Sequence, residues 1–148
     1  MGYSRTMEIS TKKVTGHCYC KSIQFEIDLP SISCSHCHCE DCRGTHGSAF
    51  VTWVSFLKTQ FRFLQGESQL HRYESHPGVI WGFCKNCGTS LLNETTGAPN
   101  NIYITLANIH EPIDREPKAH YSFEEHVSWF NPKDETPKFI AKTSQTWK

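Results

Sequence analysis

Cys18-Tyr19-Cys20 near the start of the chain and Cys84-Lys85-Asn86-Cys87 beyond its middle decide how this sequence folds. Four thiolates close the tetrahedral shell of a structural zinc. Alternate residues of a strand face the same side, so the two sulfurs of a Cys-x-Cys pair can share one ion. Bringing these distant pairs together ties an early strand pair to a late hairpin knuckle. Metal binding there would contribute on the order of 10–16 kcal/mol apparent to folding if it resembles zinc-finger peptides. A third cluster, Cys37-His38-Cys39-Glu40-Asp41-Cys42, adds three sulfurs. Three leave the fourth position open for water or a substrate atom. Seven of the eight cysteines thus divide into four plus three, and two zinc ions with different roles are expected.

A disulfide framework is the competing reading of so many cysteines. The opening residues MGYSRTMEIS carry no apolar signal segment, so a reducing, cytoplasmic setting is expected, where disulfides are rare. Two short patterns read as accidental: the loose myristoylation template over Met1 to Thr6 and the glycosylation sequon Asn93-Glu94-Thr95.

At 148 residues the chain suits one domain, burying about 68–70% of its unfolded surface. A net charge of zero and a pI near 7.1 give no electrostatic footprint for nucleic acid or an anionic membrane. Mean hydropathy is −0.51 and no long apolar run occurs, so no bilayer-spanning segment is expected.

The remaining pattern is of short strands punctuated by turns. Ile23 to Ile27 alternates apolar and polar residues before Pro30. Ser48 to Val54 and Asn101 to Leu106 are rich in β-branched and aromatic residues. Phe61 to Leu64, Leu70 to Tyr73 and Val79 to Phe83 read as further strands, the last after a Pro77-Gly78 turn. One short helix is expected over Glu40 to Thr45, beside the second metal site and closed by Gly44 or Gly47. The class is mainly β, antiparallel, stapled by metal.

Gly16-His17-Cys18-Tyr19-Cys20, Cys37-His38-Cys39-Glu40-Asp41-Cys42-Arg43 with Gly47-Ser48-Ala49-Phe50, and Phe83-Cys84-Lys85-Asn86-Cys87-Gly88 together resemble the glutathione-dependent formaldehyde-activating enzyme family, also called the centromere-protein-V-like family. Ala119-His120-Tyr121 through Trp129-Phe130 resembles its C-terminal block. The resemblance implies a β-tent fold of stacked antiparallel sheets over residues 14–139, between an N-terminal extension (1–13) and a C-terminal tail (140–148). It implies Cys18, Cys20, Cys84 and Cys87 as structural zinc ligands, and Cys37, Cys39 and Cys42 as ligands of a second, catalytic zinc. Many members carry glycine where this chain has Lys21, which puts the turn after Cys20 in question. Cys34 lies outside the family pattern: it is either a fourth ligand that closes the second site or an ordinary buried residue.

By the same resemblance the activity is that of a carbon–sulfur lyase, joining a small thiol such as glutathione to a small aldehyde, formaldehyde. A thiol carrier or interaction module with two structural zincs is the alternative. Among polar neighbours, His38 is expected to point away from the metal or to support one of its ligands by a hydrogen bond. Arg43 is expected to pair with a substrate carboxylate, or else to cap a short helix or pack on an aromatic ring. His46 and His120 are acid–base candidates set against structural roles.

Overall fold

The computed structural model describes residues 12–140. The expected extension (1–13) and tail (140–148) fall almost wholly outside the described residues, as does the Met1 to Thr6 pattern. The first strand, β1, is Lys13–His17, followed by β2 at Gln24–Asp28 and β3 at Ser33–Cys37. The helix α1 is Glu40–His46. It leads into β4 (Val51–Leu57), β5 (Phe61–Gln65) and β6 (Leu70–His76). Then come β7 (Val79–Cys84), β8 (Ser90–Thr95), β9 (Asn101–Thr105) and the two-residue β10 (His120–Tyr121).

These strands form a small sheet in the order β1-β2-β5 and a large one in the order β10-β3-β4-β9-β8-β7-β6. Between them lies the main core. The small sheet contributes Val14, Phe25 and Ile27; the large sheet contributes Val54, Phe56, Leu91, Leu92, Ile102 and Ile104. Each fully buried side chain of this size stabilises the fold by about 1.5–3 kcal/mol. Alternation in β2 produces this arrangement, because Phe25 and Ile27 share one face while Gln24 and Glu26 share the other. Gly16 lets the segment after β9 bridge to β1 at Ile109, since a Cβ there would collide with the Asn108 carbonyl and the Phe25 ring.

β4 has no polar face because both of its faces are covered. Val54 and Phe56 enter the main core. Val51 and Trp53 turn to the opposite face, where they pack with Trp81 and with Cys42 of α1. The second cysteine cluster therefore sits on the far side of the large sheet from the small one.

Mainly-β architecture with one α-helix is what the sequence pattern implies. Three details differ. β3, Ser33-Cys34-Ser35-His36-Cys37, carries no β-branched residue, and its strand state comes from pairing on both sides with β4 and β10. The β10 to β3 pairing is parallel, an exception to the antiparallel expectation. Ser48 to Phe50 is not strand. Gly47, at φ 61, ends α1 and donates its N–H to the Arg43 carbonyl, and the Ser48 hydroxyl then bonds the Phe50 carbonyl at 2.9 Å.

Candidate metal centres

Cys18, Cys20, Cys84 and Cys87 converge, their sulfurs all within 4.8 Å of one another. Cys18 and Cys20 ride the β1–β2 turn, where the Lys21 N–H donates to the Cys18 carbonyl at 3.0 Å. Cys84 and Cys87 ride the β7–β8 knuckle, where the Gly88 N–H donates to the Cys84 carbonyl at 2.7 Å. The Cys18 to Cys20 and Cys20 to Cys84 sulfur separations are 3.6 and 3.8 Å. A zinc tetrahedron with bonds of about 2.3 Å has sulfur–sulfur edges of about 3.8 Å. A disulfide would need about 2.05 Å, and all eight cysteines are free. The donor set thus fits a tetrahedral ion. The Ser22 hydroxyl at 3.0 Å and the Asn86 amide at 3.2 Å hold the Cys20 thiol down to about 5, while burial pushes Cys18 up.

Cys37, Cys39 and Cys42 form the second group, also within 4.8 Å of one another. Cys37 ends β3, and Cys39 is the N-cap of α1, its sulfur accepting the Cys42 N–H at 3.2 Å. The first turn of α1 then brings Cys42 back over Cys39, so three sulfurs meet from a strand end, a cap and a helix. Thiols of Cys39 and Cys42 donating to Cys37 hold it down to about 3. The reciprocal contacts push Cys39 and Cys42 up. Three sulfurs this close repel one another when ionised, and a divalent cation stabilises all three as thiolates.

Cys34 does not join them. It is 3% exposed within the main core, and burial pushes its thiol up to about 11.

A cavity of about 510 Å³ lies between the two sulfur groups. Thr45 and His46 of α1, and Phe50 to Thr52, line one side; Gly88, Thr89 and Ser90 after the knuckle line the other. No sulfur lines it directly. It meets the second cluster through His46 and through Val51, the register partner of Cys37. It meets the first cluster through Thr89, whose hydroxyl lies 3.1 Å from the Cys87 sulfur.

With this geometry in view, comparison with known proteins is direct. The profile of the glutathione-dependent formaldehyde-activating enzyme family matches residues 13–125. The chain belongs to that family. An uncharacterized lyase of Schizosaccharomyces pombe is 34% identical over 139 residues, covering 86% of this chain and 96% of that protein. The crystal structure of a Rhodobacter sphaeroides protein matches with a TM-score of 0.58 at 20% identity, covering 68% of this chain and 92% of that one. The latter likeness speaks to the fold alone.

In this member of the formaldehyde-activating enzyme family the turn after Cys20 is built without glycine. Lys21 takes the left-handed conformation, φ 63, that a glycine would adopt. Arg43 is engaged locally, its Nε donating to the His38 carbonyl at 3.1 Å. His38 turns away from the sulfurs, is 1% exposed, and pairs through Nε2 with His120 Nδ1 at 2.8 Å. His46 sits at the end of α1 with Nδ1 donating to the Cys42 carbonyl at 2.9 Å. That bond leaves the lone pair on Nε2, a buried atom with no hydrogen-bond partner. The Asn93 amide of the sequon donates to the Ile80 carbonyl at 3.0 Å.

Sequence reasoning did not find the grouping of His36, His120 and Asp134. Asp134 stands far along the chain from the His-rich stretch, and no spacing rule links them.

Proposed function

We propose that this chain is a zinc-dependent carbon–sulfur lyase that joins a glutathione-like thiol to formaldehyde, or acts on a closely related thiol adduct. The observation that carries the reading is the three-sulfur cluster, which gathers no fourth protein ligand among the described residues. Membership of the formaldehyde-activating enzyme family gives the reaction class, and the fission-yeast relative is named as a lyase. The four-sulfur group, embedded against the main core through Cys18 and Cys84, is the structural site in this reading.

Zinc at Cys37, Cys39 and Cys42, when bound, would offer a soft, positively charged position that favours a substrate thiolate over its thiol. A free thiol with a pKa of about 8.5 is only a few per cent ionised at pH 7, so full ionisation is a gain of about 2 kcal/mol. The carbon–sulfur bond forms as the carbonyl π bond opens, and the thiol's proton ends on the new hydroxyl. Run backwards, the same step releases thiol and aldehyde. His46 is the ionisable side chain that lines the cavity, so its ring is the candidate to hold that proton in transit once a substrate opens a path to Nε2. The hydroxyls of Thr45, Ser48, Thr52, Thr89 and Ser90, with the Asn108 amide, suit the amide groups of a small peptide thiol. Holding both reactants there contributes through orientation, an effect worth several kcal/mol.

The neutral charge supports a small-molecule partner rather than nucleic acid. No described helix is long and apolar enough to cross a membrane, and eight free cysteines suit a reducing compartment such as the cytoplasm.

The test is exchange-rate NMR of glutathione with formaldehyde, with and without the zinc-loaded protein, at matched reactant concentrations. Acceleration above the buffer rate that disappears in Cys37→Ser is expected. An unchanged rate would sink the enzymatic reading and leave a zinc-binding thiol carrier.

A further inference from the structure

We propose that His36, His120 and Asp134 form a third divalent-metal site, of zinc type, separate from both cysteine clusters. One donor atom from each residue lies within 4.8 Å of the others. Two imidazoles and a carboxylate are a recurrent ligand set for zinc and its neighbours, leaving further positions open. This inference is independent of the proposed thiol chemistry.

The surroundings hold these donors in place. His36 Nδ1 lies 2.8 Å from the Thr52 hydroxyl, which can accept its proton. That bond leaves the lone pair on Nε2 for an ion. His120 Nδ1 is held at 2.8 Å by His38 Nε2, and both rings are 1% exposed. Metal-binding histidines are oriented in this way, by a partner on the other ring nitrogen. The His36 and His120 rings lie 4.7 Å apart at 31°. Both Asp134 oxygens approach His120 Nε2, at 2.9 and 3.0 Å. One N–H can share both oxygens in a three-centre hydrogen bond, and an ion that replaces that proton would meet the same carboxylate.

The elements converge for topological reasons. β10 lies parallel to β3 with His120 opposite His36 in register. The segment carrying Asp134 folds back so that the His120 N–H donates to the Pro137 carbonyl at 2.7 Å and the Phe139 N–H to the His120 carbonyl at 2.8 Å. The competing reading is a plain clasp, in which Asp134 ties this segment to His120 with help from Lys138, 3.7 Å away. Lys138 faces Oδ1, which leaves Oδ2 for an ion. On binding, the proton leaves His120 Nε2, Nδ1 takes one from His38 Nε2, and His38 Nδ1 takes one up; the net proton count is unchanged.

The two readings part in a zinc count. Full-length protein is saturated with zinc and weighed by native mass spectrometry beside Asp134→Asn and His36→Gln. Wild type should carry one more zinc per chain than either variant, while the ions on the cysteine clusters remain. Thr52→Val keeps every ligand and loses only the hydroxyl on His36. It should weaken the additional zinc by about tenfold to a hundredfold in a calorimetric titration. Equal zinc counts in wild type and either ligand variant would overturn the proposal. So would Asp134→Asn that lowers thermal stability without changing the count, which is the clasp alone.

Discussion

Cys34 and Cys37 stand three residues apart on one strand and therefore face opposite sides of the large sheet. Cys34 pairs in register with Val54 and shares its core, whereas Cys37 pairs with Val51 and faces α1. The run Cys34-x-x-Cys37-x-Cys39-x-x-Cys42 therefore looks like a four-sulfur site in sequence but cannot act as one while β3 stays a strand. Cys34→Ser should leave the zinc count and any thiol-dependent rate unchanged. It should also lower stability by about 1–3 kcal/mol, because a buried hydroxyl replaces an apolar thiol. Denaturant unfolding with parallel metal analysis reads both, and loss of an ion would restore Cys34 as a ligand.

Lys21 makes a second, opposite prediction. Its φ of 63 is a conformation that costs a side-chain-bearing residue roughly 1–2 kcal/mol, and glycine gives back part of that through its greater unfolded-state freedom. Lys21→Gly should therefore stabilise the protein by about 0.5–1 kcal/mol, seen as a higher unfolding midpoint. No change, or a loss, would mean that Lys21 makes a compensating contact.

How far these features can be read from sequence depends on range. The sulfur pairs at Cys18/Cys20 and Cys84/Cys87, and the helix that starts just after Cys39, follow from local spacing and capping. β2, β5, β7 and β9 announce themselves by alternation or β-branched content. β3 does not, because its residues are small and polar and its pairing energy comes from β4 and β10. The cavity between the sulfur groups depends on how the β7–β8 knuckle lies against α1, a relation between distant segments. Asp134 is invisible for the same reason: a lone acid in a turn-rich stretch carries no signal until the chain folds back onto His120.

The two sulfur clusters should respond unequally to loss of one ligand. Cys84 is fully buried in the main core and joins the two sheets, so Cys84→Ser should remove most of the domain's marginal stability, typically about 5–15 kcal/mol for a single domain. Cys37 is half-buried on the outer face of the large sheet. Cys37→Ser should keep the native circular dichroism and lose the second ion and the catalysed rate. Equal unfolding of both variants would make the second cluster structural too.

His46 is where the proposed chemistry is most exposed to refutation. Its Nδ1 lies 2.9 Å from both the Cys42 carbonyl and the Thr45 hydroxyl, and because that hydroxyl donates to the Asp41 carbonyl at 2.7 Å, the proton belongs on Nδ1. The other, Nε2, is then a buried acceptor without a partner, beside Trp53 and Trp81. Burial is the main cause that holds the ring's pKa below its ordinary value, against the opposing pull of the Cys42 carbonyl. The neutral acceptor form should therefore persist at pH 7 and be lost only on the acid side of the usual imidazole range of about 6.5. His46→Asn can retain a donor to the Cys42 carbonyl while removing the acceptor, and His46→Ala removes both. If Nε2 takes the thiol's proton, both variants should lose rate by about a hundredfold with the zinc count intact, and the acid limb of the wild-type pH profile should vanish in His46→Asn. If only His46→Ala is impaired, the ring serves the end of α1 and the proton travels by another route.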